Sequence, residues 1–121
     1  MNLKKIRLEL ARTLDFPNGN PACGYEFKAP LNARGRLDAG EWPKVKAACT
    51  VRRFWHDADD EHGQLQRHRN RWVFSYRPGD DDDEPIFRFD KHTFRVGEYV
   101  SVTEHDGVVR PFRIVAVQAI H

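Results

Sequence analysis

Signatures of catalysis are absent from this 121-residue sequence. It holds no GxSxG nucleophile elbow, no HExxH metal-binding helix and no phosphate-binding P-loop. Cys23 and Cys49 are its only cysteines, and without a CxxC spacing a zinc site would have to recruit histidines from afar. Both read as small buried thiols. Joining either one to His92 and an aspartate is a sketch that any chain with six histidines permits, so no catalytic residue is assigned. No apolar stretch approaches the roughly 20 residues of a membrane-spanning helix. The opening "MNLKKIRLELAR" has a cationic pair but not the continuous apolar stretch of a secretory leader. A reducing cytoplasm is therefore the expected compartment, and a disulfide is not expected.

Charge, by contrast, is plentiful. Asp, Glu, Lys and Arg make up 31% of the chain, above the usual quarter, which implies a densely charged surface. The net charge of +2 hides an uneven distribution. Residues 1–77 carry fifteen basic and nine acidic groups, residues 78–90 carry one and six, and residues 91–121 carry four and three. The acid is thus concentrated at "DDDDE", Asp80 to Glu84, on a mildly basic body. An isoelectric point of 8.7 falls short of the value above about 9 expected of a nucleic-acid-binding domain.

The hydrophobic pattern has a period of two. Ile6, Leu8 and Leu10 share one parity, while Lys5, Arg7 and Glu9 share the other, as in a half-buried strand. Tyr25, Phe27 and Ala29 repeat the pattern, and Pro30 marks a strand end or edge. "LDAGEWPKVKA" is the one helix candidate: Asp38 and Glu41 have capping-box spacing, Gly40 and Pro43 keep it to one or two turns, and Trp42 plugs one end of the core. "ACTVRRFWH" reads as a strand and "DADDEHG" as the turn after it. "QLQRHRNRWVFSYR" reads as a hairpin turning at Arg69 and Asn70, with Asn70 in the left-handed conformation. That register sets Leu65 against Phe74 and Arg67 against Trp72. "PIFRF" supplies a short strand with Phe87 and Phe89 on one side. The last hairpin turns through a three-residue loop, His105 to Gly107, with glycine left-handed. Val100 then faces Phe112, and Val100, Val102, Val108, Phe112 and Ile114 share the buried face. The final strand is apolar on both parities and so is placed centrally. The expected architecture is a single domain over residues 1–121. It is all-β with one short helix, a small closed or partly open antiparallel barrel of seven or eight strands, with a β-sandwich as the alternative.

"DDEPIFRFDKHTFRVGEYVSVTEHDG", together with "KAPLNARGRLDAGEW" and "RFW", resembles an uncharacterised family of small bacterial proteins. The resemblance covers most of the chain. It implies no activity, so no functional residue is carried over from it.

Function then rests on surface chemistry. Asp80, Asp81, Asp82 and Asp83 are hard oxygen ligands, but successive residues of an extended chain point to opposite sides, and no glycine interrupts them. Asp57, Asp59 and Glu61 imitate the start of a calcium-binding loop, which fails at His62 and His68 where glycine and glutamate are required. His56 and His62 with Asp57 or Asp59 form a weaker divalent-metal alternative. Arg52, Arg53, Arg67, Arg69, Arg71 and Arg77 interleave with Phe54, Trp55 and Trp72. That composition suits single-stranded nucleic acid on an OB-like barrel, or alternatively a core in which Arg67 stacks on Trp72. The expectation is a non-catalytic binding or accessory module without a cofactor. Its partner would be a protein, met through the acidic loop 78–84 and a basic strand face, with single-stranded nucleic acid as the alternative and no membrane role.

Overall fold

The computed structural model describes residues 3–69, 71–76, 84–85, 92–104 and 106–120. Eight strands form among the described residues: β1 (Leu3–Leu10), β2 (Asn20–Pro30), β3 (Thr50–Trp55), β4 (Ala58–His68), β5 (Arg71–Ser75), β6 (Glu84–Pro85), β7 (Tyr99–Thr103) and β8 (Val109–Ala119). They belong to one antiparallel sheet in the order β6-β5-β4-β3-β2-β1-β8-β7. The sheet curls on itself and its two edge strands approach one another, making a partly open barrel rather than a sandwich of two sheets.

The alternation of apolar residues decides which face turns inward. Ile6, Leu8 and Leu10 of β1 and Tyr25, Phe27 and Ala29 of β2 are all buried. Phe74 of β5 and Phe112 of β8 meet them at the centre. The Tyr25 ring lies 5.0 Å from that of Phe74 and 5.1 Å from that of Phe112. Phe27 stands 5.1 Å from Phe74. Tilted and edge-on packing of this kind suits the ring quadrupoles and adds to the area buried. Trp72 is buried, as the sequence pattern requires.

Helix α1 (Trp42–Val45) and the 3-10 turn Lys46–Ala48 close one end. The expected capping box does not form: the N-cap is Glu41, without a side-chain capping hydrogen bond. Asp38 Oδ1 instead accepts from the backbone N–H groups of Gly40 and Glu41 in the turn before the helix, while the Glu41 carboxylate turns to Lys44. Trp42 plugs the barrel by packing edge-on against Trp72 at 5.7 Å and donating its indole N–H to the Leu65 carbonyl at 3.2 Å.

Both hairpin registers follow the sequence pattern. Leu65 faces Phe74, Arg67 faces Trp72, and Val100 faces Phe112. The last hairpin closes with Glu104 N–H on the Val108 carbonyl, and Gly107 has a φ of 80°, the left-handed conformation that glycine adopts without cost. The final strand is central, between β1 and β7.

Two details differ, and two expectations fall wholly or partly outside the described residues. The turn after β3 is only His56–Asp57, because β4 begins at Ala58 and "DDEHG" is paired strand. Among the described residues of the β4–β5 turn Arg69 is left-handed (φ 52°); Asn70 lies outside the described residues. Val108 is exposed at the hairpin tip, and Glu104 holds the buried end of that face in its place. The strand expected at "PIFRF" is described only at Glu84–Pro85; Phe87 and Phe89 lie outside the described residues.

Candidate binding surface

The outer face of β1, β2 and β3 carries a cross-strand row of charge. In register, Arg7 of β1 faces Glu26 of β2, and Glu26 faces Arg52 of β3. Both guanidinium groups bind the Glu26 carboxylate; Arg7 also pairs with Glu9 and Arg52 with Asp60. Burial opposes ionisation of Glu26, but hydrogen bonds from Arg52 and Arg7 outweigh it and hold its carboxyl below the usual range. Phe54 points outward beneath this row, and the two guanidinium groups lie over its ring at 4.3 and 4.9 Å. That cover explains how an aromatic on the polar face is still buried.

One row away, Lys5 of β1 stands directly opposite Lys28 of β2. Like charges so placed repel and destabilise the pair of strands. Neither ammonium forms a direct ion pair among the described residues, although the Glu26 carboxylate, diagonal to Lys5, attracts it. Beside them lies a groove of about 350 Å3, lined also by Thr50, Arg52 and His62. Glu26 borders it too, already engaged by two arginines. The arginines of this face are thus neutralised within the fold, and the lysine pair is not.

The expected basic strand face is divided between environments. Arg52 lies on the outer face, as described. Arg53 has the opposite parity and donates to Glu104 at 3.0 Å, with its side chain only 13% exposed. Glu104, itself 4% exposed, also accepts from the Tyr25 hydroxyl at 2.6 Å and from Arg110 at 2.8 Å. Burial would lower the Arg53 pKa, yet the charge and hydrogen bond of Glu104 raise it further above its ordinary value. Arg53 also lies over Trp55 at 4.2 Å. Arg67 stacks on Trp72 at 5.5 Å. Arg69 and Arg71 are exposed at the β4–β5 turn. Arg77, Asp80, Asp81, Asp82 and Asp83 lie outside the described residues. A stacking platform built on Trp72 and Phe54 is not presented to solvent, because both are buried.

The remaining chemistry-bearing residues stay apart. His92 meets neither cysteine; its ring packs by Phe94, and burial lowers its pKa. Cys23 Sγ sits 3.2 Å from His56 Nδ1, and Cys49 Sγ donates to the Val45 carbonyl at 3.4 Å. His56 lies in the β3–β4 turn and His62 within β4, lining different clefts, and among the described residues no cluster of three metal-ligating side chains forms. A second cleft, about 430 Å3, is rimmed by exposed Leu14, Val108 and Val109. It mixes Arg110 with Asp15 and Asp57 and so selects no charge.

Both thiols are fully buried, and burial raises each above the ordinary range, Cys49 to about 11. For Cys23, the His56 contact and the Arg53 charge only partly offset that rise. Native protein at pH 8 is therefore expected to react with a thiol-specific disulfide reagent at least tenfold more slowly than unfolded protein, which should titrate two thiols. Fast titration of one thiol in the native state would show a Cys23–His56 pair poised as a nucleophile instead.

No family model, curated protein or solved structure matches the chain. Assignment of a site therefore rests on geometry alone. Among the described residues no helix is long and apolar enough to cross a membrane. The lysine groove was hidden in the sequence because Lys5 and Lys28 are 23 positions apart. Only the β1–β2 register across the loop 11–19 brings them face to face.

Proposed function

We propose that this protein is a non-catalytic binding module that recognises an acidic protein segment on the outer face of β1–β3. The supporting observation is the Lys5–Lys28 pair: two like charges in register, beside a groove whose one carboxylate, Glu26, is already shared by two arginines. A fold that leaves such repulsion only partly compensated gains by accepting an anion. Thr50 and His62 add hydrogen-bonding groups along the same groove, and Arg52 is held in place by Glu26 and Asp60. The surface is thus pre-ordered on strands, which lowers the cost of binding.

The test is fluorescence anisotropy with a labelled hexa-aspartate peptide, compared with a neutral peptide and a short single-stranded oligonucleotide. The acidic peptide should bind wild type at about 50 mM salt and weaken several-fold by about 200 mM, as expected of screened surface charges. Lys5→Glu/Lys28→Glu should lose at least tenfold in affinity. Failure of the acidic peptide to bind at low salt overturns the assignment. Tighter binding of the oligonucleotide, with a steeper salt dependence, moves it to nucleic acid.

A further inference from the structure

We infer that the α1 end of the barrel is a second binding surface, one that takes the phosphate backbone of a nucleic acid duplex. It shares no residue with the lysine groove and does not rest on it.

Charge divides between the two ends of the fold. Neighbouring strands are antiparallel, so successive connections alternate between the ends. At one end the β2–β3 connection meets the β4–β5 hairpin: Trp42 packs on Trp72, and the Asp38 N–H donates to the Pro30 carbonyl. Residues 31–49 and 69–70, which join these strands, carry five basic and two acidic groups. At the other end the β1–β2 loop, the β3–β4 turn and the β7–β8 turn gather around the second cleft. Residues 11–19, 56–57 and 104–108 carry one basic and four acidic groups. The net charge of +2 thus conceals two ends of opposite sign, and the field turns the α1 end toward a polyanion.

The cations at this end are not neutralised by the fold. Asp38 accepts from the turn before α1, and Glu41 pairs with Lys44. Arg34, Arg36, Lys46, Arg67, Arg69 and Arg71 form no ion pair among the described residues. Two of them are positioned by rings: Arg67 lies over Trp72 at 5.5 Å, and Lys46 Nζ over Trp42 at 5.9 Å. Arg67 Nε has no hydrogen-bond partner. Arg69 holds a left-handed backbone, which is disfavoured for a long side chain, and no hydrogen bond or ion pair within the fold offsets that cost. Arginine predominates in the set, and its planar fork matches a pair of phosphate oxygens.

What this end lacks selects among polyanions. Protein interfaces centre on apolar or aromatic anchors. The exposed large apolar side chains Leu14, Val96, Tyr99, Val108 and Val109 all lie outside residues 31–49 and 66–71. Binding at the α1 end therefore draws on charge rather than on apolar burial. Single strands are held by bases stacked on open rings. Trp72 is buried, and Trp42 is half-buried with its edge on Trp72, its N–H on the Leu65 carbonyl and Lys46 over its face. Neither ring is open to a base. A duplex needs no such platform, and it presents about one negative charge per 1.7 Å of its axis.

Fluorescence anisotropy with a labelled duplex of about 20 base pairs tests this at about 50 mM salt. Wild type should bind it, with an affinity that falls linearly on a double-logarithmic salt plot, and should bind the matching single strand at least threefold more weakly. Arg34→Gln/Arg36→Gln/Arg69→Gln should lose at least tenfold in affinity and flatten the salt slope by about 2 to 3, close to the change for three phosphate contacts. Lys46→Gln/Arg71→Gln replaces this variant if circular dichroism shows it to be unfolded. Lys5→Gln/Lys28→Gln should keep duplex affinity within about threefold while losing the hexa-aspartate peptide, and the arginine variant should do the reverse. A wild type that does not bind the duplex overturns the inference, as does duplex binding that survives in the arginine variant or a single strand that binds more tightly. Arginine-dependent binding of hexa-aspartate without binding of the duplex also overturns it, and makes the partner an acidic protein. If hexa-aspartate does not bind and the duplex still binds through the arginines, the lysine groove falls and this surface stands.

Discussion

Glu104→Ala is expected to cost about 3–5 kcal/mol of folding stability, the scale for removing one partner of a buried charge pair. Glu104 lies on the inner parity of its strand, after Val100 and Val102, and is 4% exposed. Its carboxylate accepts from Arg53, Arg110 and Tyr25. The three donors do not lose equally. Arg110 still has Asp106, and its side chain is partly in water, so it relaxes. Arg53 is mostly buried and loses the carboxylate of Glu104. The destabilisation therefore arises mainly from a guanidinium left in the interior. Glu104→Gln, which keeps shape and acceptor but not charge, should fall between wild type and alanine. Asp60→Ala removes an ion pair whose partners are both about a third exposed or more, and should change stability by only ~0–1 kcal/mol. Urea unfolding at constant m-value measures all three. If Glu104→Ala and Asp60→Ala unfold at the same midpoint, the buried network contributes nothing beyond an exposed pair.

Gly24→Ala should be of comparable severity for a steric reason. Gly24 faces Glu9 on one side and Phe54 on the other, in the middle of the sheet. A Cβ there would stand 1.9 Å from the Leu8 carbonyl oxygen and 3.0 Å from the Phe54 ring. Backbone on one side and a ring held under two arginines on the other leave little room to give. Overpacking of a well-ordered interior typically costs 1–3 kcal/mol, and contact with a strand backbone places this change at about 3 kcal/mol or more. Gly40→Ala is the control. Its Cβ would meet nothing closer than Asp38 Oδ1 at 3.5 Å, and stability should hold within about 0.5 kcal/mol. A Gly24→Ala protein as stable as wild type would mean that β1 and β2 do not pair as described near Glu9.

Features fixed by local alternation were legible in the sequence. Leu65 opposite Phe74 and Val100 opposite Phe112 follow from short turns between patterned strands, where a slip of one residue would mix the faces. The start of β4 was not legible. Asp59, Asp60 and Glu61 are poor strand formers, yet pairing with β3 holds them extended, with Asp60 on Arg52. Phe54 broke the rule that large rings face inward, because two arginines from β1 and β3 cover it on the outside. The parity of Val100 and Val102 pointed to Glu104 as a buried position, but a carboxylate beside an Asp-Gly turn reads as a loop residue. Recognising it needs Tyr25, Arg53 and Arg110, from three other places in the chain. The groove had the same difficulty: neither Lys5 nor Lys28 is distinctive until the long connection 11–19 is folded and sets them opposite one another.

The place of β8 between β1 and β7 has a consequence for the order of events during synthesis. Leu8 is flanked by Tyr25 on one side and Ile114 on the other. The second of these neighbours is translated 89 residues after the first. A nascent chain that stops short of residue 112 therefore carries β1 with one long edge bare and the Tyr25 ring without Phe112. Such a species is slow to mature and prone to pair with other chains, as expected where distant segments must meet. Folding yield should depend on how long the ribosome holds the chain before Val109–Ala119 emerges, far more than on anything that happens among the first hundred residues.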